Sequence, residues 1–151
     1  MSNKKKEIFV IIDGSSYLYR AFYALPHLKN NSGSHTGAIF GVTNMINKLI
    51  NDLSPKYICA VFDARGKNFR HRLYKEYKSN RKSMPEELSE QVEPIFDFLK
   101  YMGIQIIQKP DVEADDVIAS LVKKFSSDTK TLISSGDKDL AQLVDDNVEL
   151  I

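Results

Sequence analysis

Short, continuous apolar runs alternate along the chain with longer segments whose apolar residues recur at helical spacing. Runs that are short and rich in β-branched residues are typical of strands buried on both faces. They predict strands at Glu7–Ile12, Lys56–Phe62, Ile104–Ile107, Thr129–Ser134 and Val148–Ile151. The periodic segments predict helices at Tyr17–Leu25, Ala38–Leu53, Pro85–Tyr101 and Leu140–Val144, and a further buried stripe from Ala114 to Phe125. This alternation predicts an α/β domain with a central, mostly parallel sheet that helices cover on both faces.

The helix that carries the Ala114–Phe125 stripe begins with an unusual density of acids. Asp111 follows a proline and is the expected N-cap of this helix. Glu113, Asp115 and Asp116 then come within four residues. One or two acids are favourable at the positive end of a helix, but a third adds repulsion unless a cation lies among them. The stretch therefore predicts either an acid-rich helix start or a cation site.

Acidic residues also follow other predicted strands. Asp13 and Asp63 end the first two strands, and Asp137 and Asp139 follow the fourth. Because the carboxyl ends of parallel strands meet at one edge of a sheet, we expect these acids and the three at the helix start to converge. The alternative is that each Asp is a separate turn or cap residue, a role that suits Asp137 or Asp139 before the helix at Leu140. Because clustered carboxylates need counter-ions, we favour shared binding of Mg²⁺ or Mn²⁺.

A carboxylate-bound pair of divalent ions would suit phosphate chemistry. Two such ions can stabilise the attacking and leaving oxygens of a phosphodiester. This chemistry requires no serine or histidine nucleophile, and Ser15 and Ser16 have no evident histidine partner. The three histidines show no metal-ligand spacing: His27, His35 and His71.

The segment Ala64–Lys82 is strongly basic, and Glu76 is its one acid. Its cations are Arg65, Lys67, Arg70, Arg72, Lys75, Lys78, Arg81 and Lys82, interleaved with Phe69, Tyr74 and Tyr77. A charge run is commonly just a solvated surface. Because this run is one-sided and aromatic residues can stack on unpaired bases, we favour binding of a nucleic-acid backbone.

Length and composition limit the class of protein. The chain has 151 residues, which suits one domain, and its net charge of +1 does not identify a partner. The single cysteine, Cys59, excludes an internal disulfide and a cysteine-based zinc site, and we expect it to be buried. The basic residues Met1–Lys6 precede an apolar run too short for a signal peptide or a membrane span. We therefore expect a cytoplasmic protein.

Six short motifs occur in a specific order that covers essentially the whole chain. They are Ile11–Gly14, Phe62–Gly66, Phe69–His71, Tyr77–Arg81, Glu113–Asp116 and Gly136–Leu140. Together they resemble the 5′-to-3′ exonuclease domain of bacterial DNA polymerase I, a member of the flap-endonuclease, PIN-like superfamily. No single motif is decisive, but the ordered set is specific.

The resemblance implies a metal-dependent 5′-3′ exonuclease and structure-specific flap endonuclease with two divalent ions. Its metal-site acids match Asp13, Asp63, Glu113, Asp115, Asp116, Asp137 and Asp139. The residues it implies for catalysis are Lys78 and Arg81, which approach the scissile phosphate, with Asp115 and Asp116. The residues it implies for DNA binding are Arg20, Tyr23, Arg65, Arg70, Arg72, Lys75, Tyr77, Lys78, Arg81 and Lys82.

The resemblance also implies a basic helical arch, from about Phe69 to Pro94, that single-stranded 5′ ends thread or pass. The family continues beyond position 151 into a helix–hairpin–helix-type element that grips duplex DNA and adds acids toward the second metal. Residues 1–151 are therefore expected to be a single domain, the N-terminal part of the family domain. The expected partners are DNA with 5′ single-stranded ends or flaps and a polymerase on a separate or continuing chain.

Three other functions remain open on the sequence. The chain can be a DNA-binding module that holds metal without cutting. A phosphate-transfer domain of receiver or hydrolase type also gathers acids at strand ends, but the hydrolase type requires an acid where Ser15 stands. A short ribonuclease of related topology is the third, against which the long basic insertion after Asp63 argues.

Overall fold

The computed structural model describes residues 6–151, and the basic residues 1–5 lie outside this range. Residues 6–151 form a five-stranded sheet in the order β3-β2-β1-β4-β5, with every pairing parallel. The strands are β1 (Glu7–Asp13), β2 (Tyr57–Val61), β3 (Gln105–Ile107), β4 (Thr129–Ser134) and β5 (Val148–Leu150). The predicted α/β class and the predicted strands are therefore confirmed, with ends that differ by at most one residue.

Helices connect the strands. They are α1 (Gly14–Ala24), α2 (Gly37–Leu53), α3 (Phe69–Leu73), α4 (Glu86–Tyr101) and α5 (Ala114–Phe125), and a 3₁₀ helix spans Lys138–Leu143. The 3₁₀ helix stands where a short helix from Leu140 to Val144 is predicted. None of the helices within residues 6–151 combines the length and the apolar character needed to cross a membrane.

The two faces of the sheet pack against different helices. Val10 and Ile12 of β1 belong to a buried cluster with α1, α2 and α4, whereas Phe9 and Ile11 belong to a second cluster with α5 and the 3₁₀ helix. This alternation follows from the period of two along a strand. Cys59 lies in the second cluster and is 4% exposed, as expected for a small buried hydrophobe. The prediction of helices on both faces is confirmed.

The strand register brings the carboxyl ends of the strands to one edge. Asp13 at the end of β1 lies opposite Val61, and Ile12 lies opposite Ser134. Val61 in turn lies opposite Ile107. The start of α1 and the loops that follow β2, β3 and β4 therefore lie side by side, which is the arrangement that the acidic strand ends require.

The start of α5 differs from the prediction. The helix begins at Ala114 with Glu113 in the N-cap position, so the expectation that Asp111 is the N-cap is wrong. Asp111 has a φ of 72°, a left-handed conformation that aspartate tolerates better than most residues, and its carboxylate pairs with Arg72. The Asp63 carboxylate instead accepts the free Ala114 N–H at 2.8 Å. A residue distant in sequence therefore caps this helix.

The basic segment is less helical than the predicted arch. It is helical over Phe69–Leu73, forms turns through residues 75–80, and becomes helical again at Glu86 in α4. Lys78 has a φ of 52°, which interrupts a right-handed helix. Like charges at helical spacing also destabilise a helix, and this segment carries few acids to offset them.

Candidate active site

A cavity of about 360 Å³ lies at the carboxyl edge of the sheet. Its walls bring together five of the seven predicted metal-site acids and both predicted catalytic cations. They are Asp13, Asp63, Glu113, Asp115 and Asp137, with Lys78 and Arg81, and Ser15, Ser16, Tyr19 and Gly136 complete the lining. The two other predicted acids, Asp116 and Asp139, do not line the cavity.

Asp13 is the most buried of these acids, with 4% of its surface exposed. Its carboxylate accepts hydrogen bonds from the Ser16 N–H at 3.2 Å and from the Ser135 hydroxyl at 2.5 Å. Burial raises the pKa of Asp13, and the nearby carboxylates of Asp63 and Asp137 raise it further against these hydrogen bonds. A buried carboxylate with acidic neighbours favours a cation beside it.

Glycine permits the close approach of α1 to the end of β2. An ideal Cβ on Gly14 would lie 2.4 Å from Cζ of Phe62, well inside contact distance. Because glycine has no Cβ, Gly14 at the start of α1 can lie directly against the Phe62 ring. Asp13 precedes Gly14 and Asp63 follows Phe62, so this contact brings the two acids to the same cavity.

Asp63 and Asp137 serve as helix caps and line the cavity at the same time. Asp63 Oδ1 accepts the Ala114 N–H, and Asp137 Oδ1 accepts the Asp139 N–H at 2.9 Å at the start of the 3₁₀ helix. The second oxygen of each carboxylate receives no hydrogen bond from the part of the chain that the structure describes. Capping and ligation are therefore compatible roles here, although the sequence presented them as alternatives.

Asp115 differs from its neighbours because no donor within residues 6–151 contacts its carboxylate. Burial raises the pKa of Asp115 to about 6, and the charges of Asp13, Asp137, Asp63 and Glu113 add to the rise. The uncompensated negative charge of the cavity is therefore concentrated at this residue.

Glu113 is compensated by donors from the basic segment. It accepts hydrogen bonds from Lys78 Nζ at 2.6 Å, from the Tyr77 hydroxyl at 3.0 Å and from Asn68 Nδ2 at 3.1 Å. Burial by itself would raise the pKa of Glu113, but the bonds from Lys78 and Tyr77 outweigh it and the pKa is lowered. Lys78 is therefore both a wall of the cavity and the counter-ion of one of its acids.

Asp116 is turned toward the basic segment. Both of its oxygens accept hydrogen bonds from the Arg70 guanidinium at 2.7 Å, and Oδ2 also accepts the Glu113 N–H at 2.9 Å. The bonds from Arg70 lower the pKa of Asp116. The structure thus separates two adjacent acids: Asp115 lines the cavity without a donor, and Asp116 is a satisfied ion-pair partner. Asp139 is exposed, and its N–H donates to Asp137.

Five of the predicted DNA-binding cations lie on two surfaces next to the cavity. Arg65 lines a second, narrower cavity of about 210 Å³ that Lys78 and Arg81 also line. Beyond it lies a concave basic surface of about 680 Å³, lined by Lys67, His71, Arg72, Lys75, Lys78 and Ser79. Arg70 and Tyr77 bond to acids of the α5 start, as described above. Lys82 is exposed outside these surfaces.

Arg20 and Tyr23 are exposed on α1 and do not line the cavity. Tyr19 does line it, and its ring stacks on that of Tyr23 with 6.3 Å between centroids. Sequence reasoning also missed Asn68 and Ser135, which bond to Glu113 and Asp13. A signal for Tyr19 was present, because it stands at i−4 from Tyr23 on the same helix face. No comparable signal exists for the two polar residues, whose partners are distant in sequence.

The residues of the cavity fit a hard divalent cation. Carboxylate oxygens are the preferred ligands of Mg²⁺ and Mn²⁺, and no histidine or cysteine lines the walls. Within residues 6–151, no three acidic, histidine or cysteine side chains stand close enough together to hold one ion directly. Mg²⁺ usually keeps several of its waters in protein sites, so carboxylates spaced around a cavity suit it.

A parallel α/β sheet that gathers carboxylates at its carboxyl edge, beside a basic segment, defines a resolvase-like domain of the kind found in metal-dependent nucleases. The chain belongs to the family of the 5′-3′ exonuclease, N-terminal resolvase-like domain, whose profile matches residues 8–151. The resemblance drawn from the six sequence motifs is confirmed.

Several curated relatives are more than 40% identical to this chain over the residues that align. DNA polymerase I of Pseudomonas aeruginosa is 47% identical over 143 residues, which are 94% of this chain and 16% of the polymerase. The 5′-3′ exonuclease of Aquifex aeolicus is 46% identical over 93% of this chain and 49% of its own length. The 5′-3′ exonuclease of Buchnera aphidicola subsp. Baizongia pistaciae is 44% identical over 98% and 49%. The chain thus spans about half of the exonucleases it matches.

Solved structures share the fold at lower identity. The T5 D15 protein co-crystallised with metal ions superposes with a TM-score of 0.67 at 24% identity, over 96% of this chain and 54% of that one. The catalytic core of Rad2 in complex with DNA substrate gives a TM-score of 0.55 at 20% identity, over 91% and 40%. At these identities, the likeness establishes the fold.

Proposed function

We propose that this chain supplies the catalytic site of a metal-dependent nuclease that hydrolyses DNA phosphodiesters at 5′ ends and flaps. The observation that carries the proposal is the cavity of five carboxylates with Lys78 and Arg81 in its wall. Family membership supports the proposal, since the matching profile is that of a 5′-3′ exonuclease. So do the names of the relatives, which are 5′-3′ exonucleases and DNA polymerase I.

The acids of the cavity would hold the metal. Asp13, Asp63, Asp115 and Asp137 carry oxygens toward one space from three loops and the start of α5, and Glu113 joins them when Lys78 leaves it. Two Mg²⁺ or Mn²⁺ ions held there would supply an activated water and stabilise the charge that develops on the phosphate. The rigid sheet edge keeps the carboxylates in place before substrate arrives, which lowers the cost of organising the site.

Lys78 and Arg81 would position the scissile phosphate. Both line the cavity, and both also line the narrower cavity that leads to the basic surface. A phosphate that enters between them would lose bound water and accept hydrogen bonds from two cationic side chains. These bonds would fix its orientation relative to the carboxylates. Arg81 is exposed, so it can reach the phosphate without first breaking an ion pair within the described residues.

The concave basic surface would carry the DNA strand that leads into the cavity. Its lysines and arginines suit phosphates, and it contains no acid. Two structural neighbours are described as complexes with DNA, the T5 flap endonuclease and the Rad2 core. A polymerase, on a separate chain or continuing from this one, is the protein partner we propose, because relatives named DNA polymerase I contain this region.

The proposal is tested by incubating the chain with a 5′-labelled flapped duplex, with and without Mg²⁺ or Mn²⁺. We expect cation-dependent cleavage near the flap junction that leaves a 5′-phosphate. Asp115→Asn should lower the rate at least about 100-fold, since even residues that only support metal ligands typically cost 10–100-fold. Asp52→Asn is the matched control, because Asp52 is exposed at the end of α2 and pairs with Lys48. Equal cleavage by wild type and Asp115→Asn would contradict the assignment.

One observation favours a second function, DNA binding without cleavage. Lys78 pairs with Glu113, and Arg70 pairs with Asp116. Within the described residues, no three acidic, histidine or cysteine side chains are close enough to one another to bind a single ion. A chain held in that arrangement would bind DNA through its basic surface and leave it intact. The same assay separates the two functions if gel-shift binding is measured alongside cleavage.

A further inference from the structure

Three serines connect the loops that carry the acids. The Ser15 hydroxyl accepts the Asp63 N–H at 3.0 Å, which joins the α1 start to the loop after β2. The Ser16 hydroxyl accepts the Gly136 N–H at 3.2 Å, which joins the same start to the loop after β4. Ser135 makes the third connection. Hydrogen bonds to or from side-chain hydroxyls therefore join segments that are 48 to 122 residues apart in sequence.

Ser135 is the one of the three whose hydroxyl contacts the carboxylate of a cavity acid. Its Oγ donates to Asp13 Oδ2 at 2.5 Å and accepts the Asp137 N–H at 3.0 Å. A hydroxyl has one proton and two lone pairs, so both bonds form at once without competition. Its own backbone is also held, because the Ser135 N–H donates to the carbonyl of Ile151 at 3.1 Å.

Ser135 lies behind the acids and not in the wall of the cavity. The Asp13 carboxylate has two donors among residues 6–151, and Ser135 is the one supplied by the loop that follows another strand, β4. Loss of the hydroxyl would free one Asp13 oxygen to rotate and would leave the Asp137 N–H without its acceptor. The first change would move the Asp13 carboxylate and the second would move Asp137. Both candidate ligands would remain in the chain.

We propose that Ser135 is a positioning residue that orients Asp13 and Asp137 toward a common divalent cation. The proposal rests on the proposed function, because it assumes that the carboxylate cavity holds metal. Side chains that hydrogen-bond to metal ligands typically contribute 10–100-fold to metal affinity, and Ser135 bonds to two candidate ligands at once. Its partners at the end of β1 and in the loop after β4 explain why a hydroxyl stands at this position.

The test is to titrate the whole chain with Mn²⁺ and to measure the free Mn²⁺ by electron paramagnetic resonance, which gives the apparent affinity. We expect Ser135→Ala to weaken the apparent affinity about 10- to 100-fold. Ser135→Thr keeps the hydroxyl and should restore binding to nearly that of the wild type. The matched control is Ser127→Ala, an exposed serine beyond α5 whose side chain makes no hydrogen bond within the described chain. Thermal denaturation of each variant without metal separates lost binding from lost folding.

A second measurement follows the hydrogen bond itself. In ¹H–¹⁵N spectra without metal, the Asp137 amide should shift upfield in Ser135→Ala and remain near its original position in Ser135→Thr. If Ser135→Ala does not fold, Ser135→Cys keeps the side-chain size with a much weaker donor and should show the same loss of Mn²⁺ affinity.

The outcomes are distinct. A folded Ser135→Ala or Ser135→Cys variant that binds Mn²⁺ as tightly as the wild type would overturn the role of Ser135 and leave the proposed function intact. A wild-type chain without saturable Mn²⁺ binding would overturn both.

Discussion

The acids at the sheet edge differ chiefly in how many donors contact each of them. Glu113 receives three hydrogen bonds from the basic segment, and both Asp116 oxygens are bound by Arg70. Asp115 receives none from the described chain, and burial together with the charges of its acidic neighbours raises its pKa to about 6. Because unrelieved repulsion is expensive, a carboxylate left in this state is a strong candidate for direct contact with a cation.

Asp115 should make the stability of the metal-free protein depend on pH. Its folded-state pKa of about 6 lies above the ordinary value of 3.8, so its ionisation disfavours the folded state. The wild type should therefore lose stability as pH rises from about 4 through about 6, and the loss should persist at higher pH. Asp115→Asn removes the charge and should be more stable above pH 6 by about 1 kcal/mol after allowance for solvent screening.

Urea denaturation in EDTA at several pH values measures this difference, with Asp52→Asn as the control. The two curves for Asp115→Asn and wild type should converge below about pH 3, where Asp115 is protonated in both the folded and the unfolded chain. A difference that stays constant from pH 4 to 8 would show that repulsion at Asp115 is not its source.

The acids at the site could be predicted where strand ends or the acid-rich start of a helix carry them. Asp13, Asp63 and Asp137 follow apolar runs, so their convergence follows from parallel-sheet geometry. The pairing of Asp116 with Arg70 depends on a contact between residues 46 apart, which no local pattern encodes. Tyr19 and Tyr23 differ by one helical turn, and the orientation of α1 on the sheet decides which of them lines the cavity.

The basic segment is fixed mainly by side-chain contacts to the α5 start. Lys78 pairs with Glu113, Arg70 with Asp116 and Arg72 with Asp111. Backbone bonds to the sheet are few, since the segment is outside every strand. The element is therefore anchored by charge, and a cation or phosphate that competes for the same groups would change its position.

Removal of one anchor should loosen the segment selectively. Arg70→Ala breaks two charge-assisted bonds at a pair that is about one-third exposed, so we expect a local loss of about 1–2 kcal/mol. Trypsin should then cleave within residues 64–82 about tenfold faster than in the wild type, because opening of the segment becomes more frequent. Mass spectrometry of the fragments locates the cuts.

The control for this experiment is Lys48→Ala, which breaks the exposed Lys48–Asp52 pair on α2. That pair should contribute little, because exposed ion pairs within a helix are worth about 0.3–0.5 kcal/mol. Faster cleavage throughout the chain in Arg70→Ala would indicate global unfolding and would contradict a local anchor.

Strands and long helices were predictable because hydrophobic periodicity determines them. β4 spans the predicted residues Thr129–Ser134, and α2 begins one residue before its predicted start. The arch was not predictable in detail, because charges and aromatic residues that contact distant acids determine its path. Sequence patterns indicate which residues are buried, but they do not indicate which polar residues distant in sequence are in contact.

At the scale of the whole molecule, repulsion among the acids lowers the free energy of unfolding, and a bound cation can reverse that loss. A site whose carboxylates repel one another in the folded chain is relieved by a cation that binds the folded state better than the unfolded state. The protein should therefore be more stable with a divalent cation than in EDTA at equal ionic strength.

Mg²⁺ at about one hundred times its dissociation constant should stabilise the fold by about 2.7 kcal/mol. For a chain of this size, that corresponds to a rise in Tm of roughly 5–10 °C. Differential scanning fluorimetry with MgCl₂ measures it, and NaCl of matched ionic strength is the control. Asp115→Asn should show a smaller rise, and an equal rise in the variant would place the stabilising ion elsewhere.

The position of β1 in the sheet has a consequence for synthesis of the protein. Within the described sheet, β1 is the first strand to be synthesised and the central one, and its neighbours β2 and β4 begin 50 and 122 residues after it. One side of β1 stays unpaired until Thr129–Ser134 emerges, because parallel strands join only through long connections. Asp13 and Asp137 consequently meet only when the last strands of the described sheet have been made. The carboxylate cavity therefore forms only after β4 has joined β1, when β1 and β2 are already available to hold its first two acids.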